Sequence, residues 1–287
     1  MYSCIFEHIY IVGAGATPLR CAQLLLQMGL ACELWETAYA TPSFIGVRTA
    51  QLHIPYRIFD ERSFLKIVAQ TQPTVIISAN NTYLFPPQVV EARHIRIINY
   101  HNSLLPHHRG MHAEAWSLYE GDTQTGITWH DVDAGIDTGN ILAQRSLTLD
   151  DTVTSIQLLQ RQAKVAVEAL QAILPDVLQG KTIGRAQTCS KQASLHRARD
   201  IPNQGELSAE WDCRQIWNFL RAMDYGVLNT LGRPYIRYAN RAYYWSRYRK
   251  LPSREKYGLE VQGRSLCLHN TILLENIMEA PDIPLVS

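Results

Sequence analysis

The sequence predicts an α/β chain, with a doubly wound, Rossmann-like first domain and a smaller, mostly β second one. Three observations carry this. Short β-branched runs alternate with amphipathic segments through the first half of the 287 residues. One run, Thr74–Ser78, reads as a strand covered on both faces, as the middle of a parallel sheet requires. The charge balance then changes: from Lys191 onward there are 14 basic and 10 acidic residues, against 13 and 16 before it. A chain of this length holds about two domains, which we place at 1–185 and 200–287.

The elements follow in order. His8–Val12 is a strand that runs into Gly13-Ala14-Gly15. Pro18–Met28 is a helix with Leu19, Leu24, Leu25 and Met28 on one face, and Gly29 stops it. Cys32–Trp35 and Pro55–Ile58 are short strands around a helix at Phe44–Leu52, and Ser63–Gln70 is helical. Ile95–Tyr100 continues a βαβα rhythm that implies a parallel sheet with right-handed crossovers. Thr125–Val132 and Ile141–Leu147 are later strands. A long helix covers Asp151–Gln179, with Asp150 or Asp151 able to cap its start and Gly180 ending it. Ile201–Gly205 is loop chemistry. A helix at Arg214–Met223 buries Ile216, Phe219, Leu220 and Met223. Short β runs at Tyr235–Tyr238, Ala242–Ser246, Leu259–Val261, Leu266–Leu268 and Ile272–Leu274 then suggest a small barrel or curled, OB-like sheet.

Composition removes several function classes. The chain is 46% hydrophobic and 18% charged, with a net charge of +1. That is a globular mixture without a whole-chain affinity for polyanions. No apolar run approaches the roughly 18 residues a spanning helix needs, and the N-terminus reads as a first strand rather than a signal peptide. The cysteines at 4, 21, 32, 189, 213 and 267 form no C-x-x-C pair. They fit reduced thiols of a cytoplasmic protein rather than a zinc site. The Gly13-Ala14-Gly15 turn stands where a dinucleotide fingerprint would, but Pro18 occupies the third glycine position. A tight first βα turn is the better reading.

The informative stretch is Asn99-Tyr100-His101-Asn102-Ser103-Leu104-Leu105-Pro106-His107-His108-Arg109-Gly110. Asn99 and His101 are two apart, so at a strand end both side chains point to one side. An amide donor beside a titratable imidazole suits acyl transfer to an amine, which needs one group for the oxyanion and one for protons. A second stretch, Thr128 to Gly139, is a polar loop dense in carboxylates and glycines. Its Asp137 lies 36 residues after His101 and can return beside it, orienting the imidazole.

Asn-x-His followed by Ser-Leu-Leu-Pro and Arg-Gly, then Asp-Thr-Gly, resembles the folate-dependent formyltransferases. The likeness runs from about Ile9 to Gly180, and a weaker one from Lys191 to about Arg249 is similar to the second domain of the methionyl-tRNA type. The resemblance implies 10-formyltetrahydrofolate as donor, no metal, and Asn99, His101 and Asp137 as the catalytic trio. It implies Phe85, Pro86, Asp131 and Asp133 beside the donor, and Arg109, Gly110 and Met111 beside the acceptor amine. His107 and His108 become rim residues.

Formyltransferases of this kind divide by acceptor. Glycinamide ribonucleotide enzymes lack a second domain. The Thr-Trp-His130 strand and Asn102, where the methionyl-tRNA enzymes often carry proline, point away from tRNA. Arg221 to Pro234 looks most like the formyltransferases of peptide-synthetase initiation modules. An amino acid or carrier-bound aminoacyl group in secondary metabolism is therefore the expected acceptor. A nucleotide-linked amino sugar, charged tRNA and plain hydrolysis are the alternatives. Between Arg233 and Lys256, eight basic residues interleave with aromatics against one acid. The segment reads as a half-buried β ribbon, or as a contact for an acidic protein, a phosphorylated small molecule or RNA.

Overall fold

A computed structural model describes residues 4–37, 44–188, 193–252 and 265–283. The chain divides into two compact units. The first comprises Met1–Gly110, Gly126–Leu147 and Arg161–Leu195; the second comprises Met111–Thr125, Thr148–Gln160 and His196–Ser287.

The chain opens with β1 (His8–Gly13), α1 (Ala16–Gln27), β2 (Glu33–Glu36), α2 (Phe44–Gln51), β3 (Tyr56–Ile58), α3 (Glu61–Val68), β4 (Thr74–Ala79), α4 (Pro87–Val90) and β5 (Ile95–His101). It continues through β6 (Arg109–Gly110), α5 (Ala113–Glu120), β7 (Gln124–Asp131), β8 (Ile141–Thr148) and α6 (Ser155–Leu178). Seven strands form one sheet in the order β3-β2-β1-β4-β5-β7-β8. Strand alternation sorts its core into two layers. Ile9, Ile11, Leu34, Val75, Ile77 and Ile98 pack with Leu24, Leu25, Ala166 and Leu170 of α1 and α6. Tyr10, Val12, Trp35, Ile76 and Ile97 pack on the other face with Phe64, Val68 and Val89. Each fully buried aliphatic side chain contributes roughly 1.5–3 kcal/mol.

The expectation of a parallel sheet needs one correction: β7 runs antiparallel to β5, with Asn99 opposite His130 and His101 opposite Thr128. The indole Nε1 of Trp129 donates to the Ala166 carbonyl at 2.8 Å and ties this strand to α6. Two glycines permit close backbone passages. A Cβ on Gly13 would lie 1.8 Å from the Ala79 carbonyl oxygen, so this glycine serves β1–β4 packing. A Cβ on Gly139 would lie 1.7 Å from the Asp131 carbonyl oxygen. The long helix begins later than its carboxylates suggest. Asp150 accepts from the Thr152 and Val153 amides, both at 2.9 Å, closing a turn ahead of Ser155 instead of capping the helix. No described helix is long and apolar enough to cross a membrane.

The remaining elements are β9 (Leu195–His196), β10 (Glu206–Leu207), α7 (Cys213–Ala222), β11 (Tyr235–Tyr238), β12 (Arg241–Tyr244), β13 (Arg247–Lys250), β14 (Ser265–Leu268), β15 (Ile272–Glu275) and β16 (Met278–Glu279). In the second unit α7 starts at a capping box of Asp212 and Gln215, and Phe219 meets Tyr119 of α5. Its strands form a four-stranded sheet, β10-β11-β12-β16, and a three-stranded one, β13-β15-β14. The expected run Leu259–Val261 and Cys189 lie outside the described residues.

The basic ribbon is largely paired within the unit. Arg237 meets Glu206, Arg241 meets Glu279 at 3.3 Å, Arg249 meets Glu275 at 3.4 Å and Lys250 meets Asp151 at 2.7 Å. The Arg233 guanidinium lies 4.5 Å from the Tyr244 ring centroid. Arg254 and Lys256 lie outside the described residues.

Candidate active site

The antiparallel pairing of β5 with β7 builds the site. Asn99 and His101 leave β5 on the same side, and the register sets His130 of β7 against Asn99. The Asn99 Nδ2 and His130 Nε2 atoms are 3.1 Å apart. The loop after β7 then folds back and delivers Asp137. Its Oδ2 lies 3.3 Å from His101 Nδ1, and its Oδ1 lies 3.4 Å from His130 Nε2. The Gly110 amide donates to Asp137 Oδ2 at 2.8 Å. His101 and His130 are only 6% and 2% exposed.

The electrostatics follow from these contacts. Burial by itself raises the Asp137 carboxyl, but the His101 imidazole and the Gly110 N–H outweigh it and hold the group well below the usual carboxylate range. On its other edge the His101 Nε2 lies 2.7 Å from the His108 carbonyl oxygen, to which it donates. Both ring nitrogens of His101 therefore face acceptors, a setting that favours the doubly protonated ring.

The structure thus brings Asn99, His101, Asp137 and Gly110 together and adds His130. The sequence had used His130 only as a hint about the acceptor. Arg109 is drawn in indirectly: its Nη2 donates to Gln187 at 2.7 Å, and Gln187 Nε2 donates to the Asp137 and Gly139 carbonyls, both at 2.8 Å. Gln187 carries no sequence signal of its own. Met111 belongs to the second unit, where its amide donates to the His196 carbonyl at 2.8 Å. His108, read as a rim residue, is 3% exposed and contributes its carbonyl to His101.

The four residues assigned to the donor are spread over the segment before α4 and the exit of β7. Phe85 packs its ring near Phe64 and Tyr83, and Pro86 precedes α4. Asp131 pairs with Arg96 at 3.0 Å. Asp133 accepts from the Gly135 amide at 3.1 Å and from Thr138 Oγ1 at 2.6 Å, closing its own loop.

The formyl transferase family profile matches residues 48–174. GDP-perosamine N-formyltransferase of Brucella melitensis is 30% identical over 224 residues, covering 75% of this chain and 84% of that protein. The chain belongs to the folate-dependent formyltransferase family. The methionyl-tRNA formyltransferase of Pelobacter propionicus resembles this formyltransferase over a shorter span, with 28% identity over 171 residues, 59% of this chain and 52% of that one. Among solved structures, WlaRD, a sugar 3N-formyl transferase crystallised in the presence of dTDP and 5-N-formyl-THF, shares the fold. Its TM-score is 0.75 at 16% identity, covering 94% of this chain and 97% of that chain.

Proposed function

We propose that this formyltransferase moves the formyl group of 10-formyltetrahydrofolate to the amino group of a nucleotide-linked amino sugar, with the chemistry carried by the domain at 1–185. The clustering of Asn99, His101 and Asp137 with His130 carries the catalytic half of this reading. The amine nitrogen attacks the formyl carbon. The new C–N bond forms, the bond from that carbon to N10 of the folate breaks, and the amine's proton ends on N10. Asn99 Nδ2 and the protonated His101 ring stabilise the oxyanion between the two steps. Asp137 keeps His101 charged, and because both His101 nitrogens already donate, a water held by the Asp137 carboxylate carries the amine's proton to N10.

The donor side fits a ligand held by main chain. The side chains of Asp131, Asp133 and Phe85 are engaged with their neighbours. We therefore place the pterin against backbone groups of the loops at 84–87 and 131–138. The acceptor side takes Arg109, Gly110 and Met111.

The sugar acceptor replaces the amino acid or carrier-bound group as the favoured substrate. The relative that acts on GDP-perosamine matches over 84% of its own length, whereas the methionyl-tRNA relative matches over 52%. The internal pairing of Arg237, Arg241, Arg249 and Lys250 also argues against an RNA surface on the ribbon.

The test is a formyl-transfer assay with 10-formyltetrahydrofolate and a panel of GDP- and dTDP-linked amino sugars, aminoacyl carrier protein, charged initiator tRNA and a no-amine control. Product is read by mass spectrometry and released tetrahydrofolate by absorbance. Formylated nucleotide sugar is the expected product. Turnover only with carrier protein or tRNA overturns the acceptor, and folate release without amine makes the protein a hydrolase.

A further inference from the structure

We propose that Ser78 and Asn81 are positioning residues. They form a one-way hydrogen-bond relay from the Tyr83 main chain to His130 that fixes the Asn99 carboxamide with its NH2 group toward the reaction centre. This rests on the formyl-transfer reading of the site.

A carboxamide has the same shape in either orientation, so only its partners decide which end is the donor. Here the decision starts at groups that have no choice. The Tyr83 amide can only donate, and it donates to Asn81 Oδ1 at 2.9 Å; the Tyr83 carbonyl can only accept, and it accepts from Asn81 Nδ2 at 3.1 Å. Asn81 Nδ2 also donates to Ser78 Oγ at 3.1 Å. Ser78 Oγ could accept a second time, but its one proton goes to Asn99 Oδ1 at 2.7 Å, and a flipped Asn99 would leave that proton facing an NH2 group. Ser78 is 2% exposed, so bulk water does not compete for the hydroxyl.

The Asn99 oxygen is now committed, and its Nδ2 must donate to His130 Nε2. His130 accordingly accepts at Nε2 and carries its proton on Nδ1, which donates to the Asp131 carbonyl at 2.8 Å. The opposite assignment, with His130 Nε2 donating to Asp137 at 3.4 Å, would set two N–H groups against each other at 3.1 Å. Asn99 is left with its second N–H for the developing oxyanion. A flipped amide would present a carbonyl oxygen to that negative charge.

The relay is tested by reversing it. In Asn81→Asp the carboxylate still accepts from Tyr83 but offers Ser78 only an acceptor. The hydroxyl proton turns toward it, and the Ser78 lone pair then draws the Asn99 NH2 away. Loss of an oxyanion donor costs roughly 10²–10³ in kcat, so we expect kcat to fall by about 10- to 100-fold, with KM for donor and amine within about threefold. The defect relative to wild type should shrink as the pH falls toward the carboxylate range, where a protonated Asp can donate again. Asn81→Ala removes the donor without reversing it and should be milder.

An Asn81→Asp enzyme as active as wild type, or no worse than Asn81→Ala, overturns the relay. So does a defect that is constant with pH. A readout independent of turnover comes from the imidazole nitrogen NMR spectrum of His130, assigned against His130→Asn. The Nδ1–H tautomer is expected in the wild-type protein, and an Nε2–H tautomer refutes the relay. If no amine is formylated at all, the functional reading fails while the tautomer still decides the relay.

Discussion

Replacing Asp137 by Asn removes the charge that faces two histidines and leaves the side chain's size unchanged. At the observed 3.3 Å from His101 Nδ1, a carboxylate and an imidazolium attract by about 5 kcal/mol at an effective dielectric of about 20. The desolvation of two buried groups offsets most of this. A nearby opposite charge in such a setting shifts a partner's pKa by about one to three units. His101 in the variant therefore loses its proton at lower pH, and at neutral pH the oxyanion loses a charged donor. Removing one such donor costs about 10²–10³ in kcat. The measurement is single-turnover formyl transfer at saturating donor, repeated from neutral to mildly acidic pH, with a thermal melt to show that the variant is folded. Activity should be lowest at neutral pH and partly recover in acid as His101 regains its proton. A variant within threefold of wild type, or a loss identical at every pH, would refute the assignment of Asp137 as the group that keeps His101 charged.

The depressed Asp137 carboxyl also has a consequence for stability. A group whose pKa is lowered by folding contributes stability that is fully present above the ordinary value near 4 and fades as the pH falls toward the folded value. The urea midpoints of wild type and Asp137→Asn should differ most near neutral pH and converge in acid; a gap that widens in acid contradicts the sign. Gly139→Ala places a methyl 1.7 Å from the Asp131 carbonyl oxygen. Forced overpacking of this kind costs about 1–3 kcal/mol, so the urea midpoint should drop and the Asp137 loop should lose its geometry; an unchanged midpoint and kcat would show that the loop is free to move. The double variant Arg241→Ala with Arg249→Ala breaks two exposed ion pairs, each worth at most about 1 kcal/mol. It should leave kcat and KM for a nucleotide sugar unchanged, and a large rise in KM would restore the ribbon as an acceptor surface.

Most of the first sheet was legible because hydrophobic period and punctuation agree there. The strand starting at His8, the helix ending at Gly29 and the apolar run at Thr74 each carry both signals. Strand direction was not legible. Alternation in Thr125–Val132 is the same read either way, and only pairing shows that β7 runs against β5. Helix α5 was missed because its eight residues sit between left-handed ends at His112 and Gly121, and only the glycine is a sequence signal. Strand β13, Arg247–Lys250, lies in the basic segment read as a half-buried ribbon but between the individual β runs marked in the sequence, and pairing with β15 defines it. At the site, the spacing of Asn99 and His101 was readable from the two-residue period. Ser78, Asn81 and His130 were not, since their roles depend on which strands are neighbours and in what register.

The site's precision resides in its main chain as much as in its side chains. Asp137 has φ 53°, in the left-handed region that a non-glycine residue enters at a cost of about 1–2 kcal/mol. That conformation lets a carboxylate on a loop beyond β7 reach back to His101 and to the Gly110 amide. Gln187 holds it there, bonding the carbonyls of residues 137 and 139, while Gly139 lets the loop pass against Asp131. A carboxylate placed by backbone geometry has few torsions left to fix, so little ordering remains for the moment of reaction. The same logic applies to Asn99, whose freedom to flip is removed by a relay anchored on a main-chain amide and carbonyl. Both halves of the proposed oxyanion site are thus referred to the backbone of the sheet and its exits. This is why substitutions one step behind the reacting groups are expected to change kcat while leaving KM nearly unmoved.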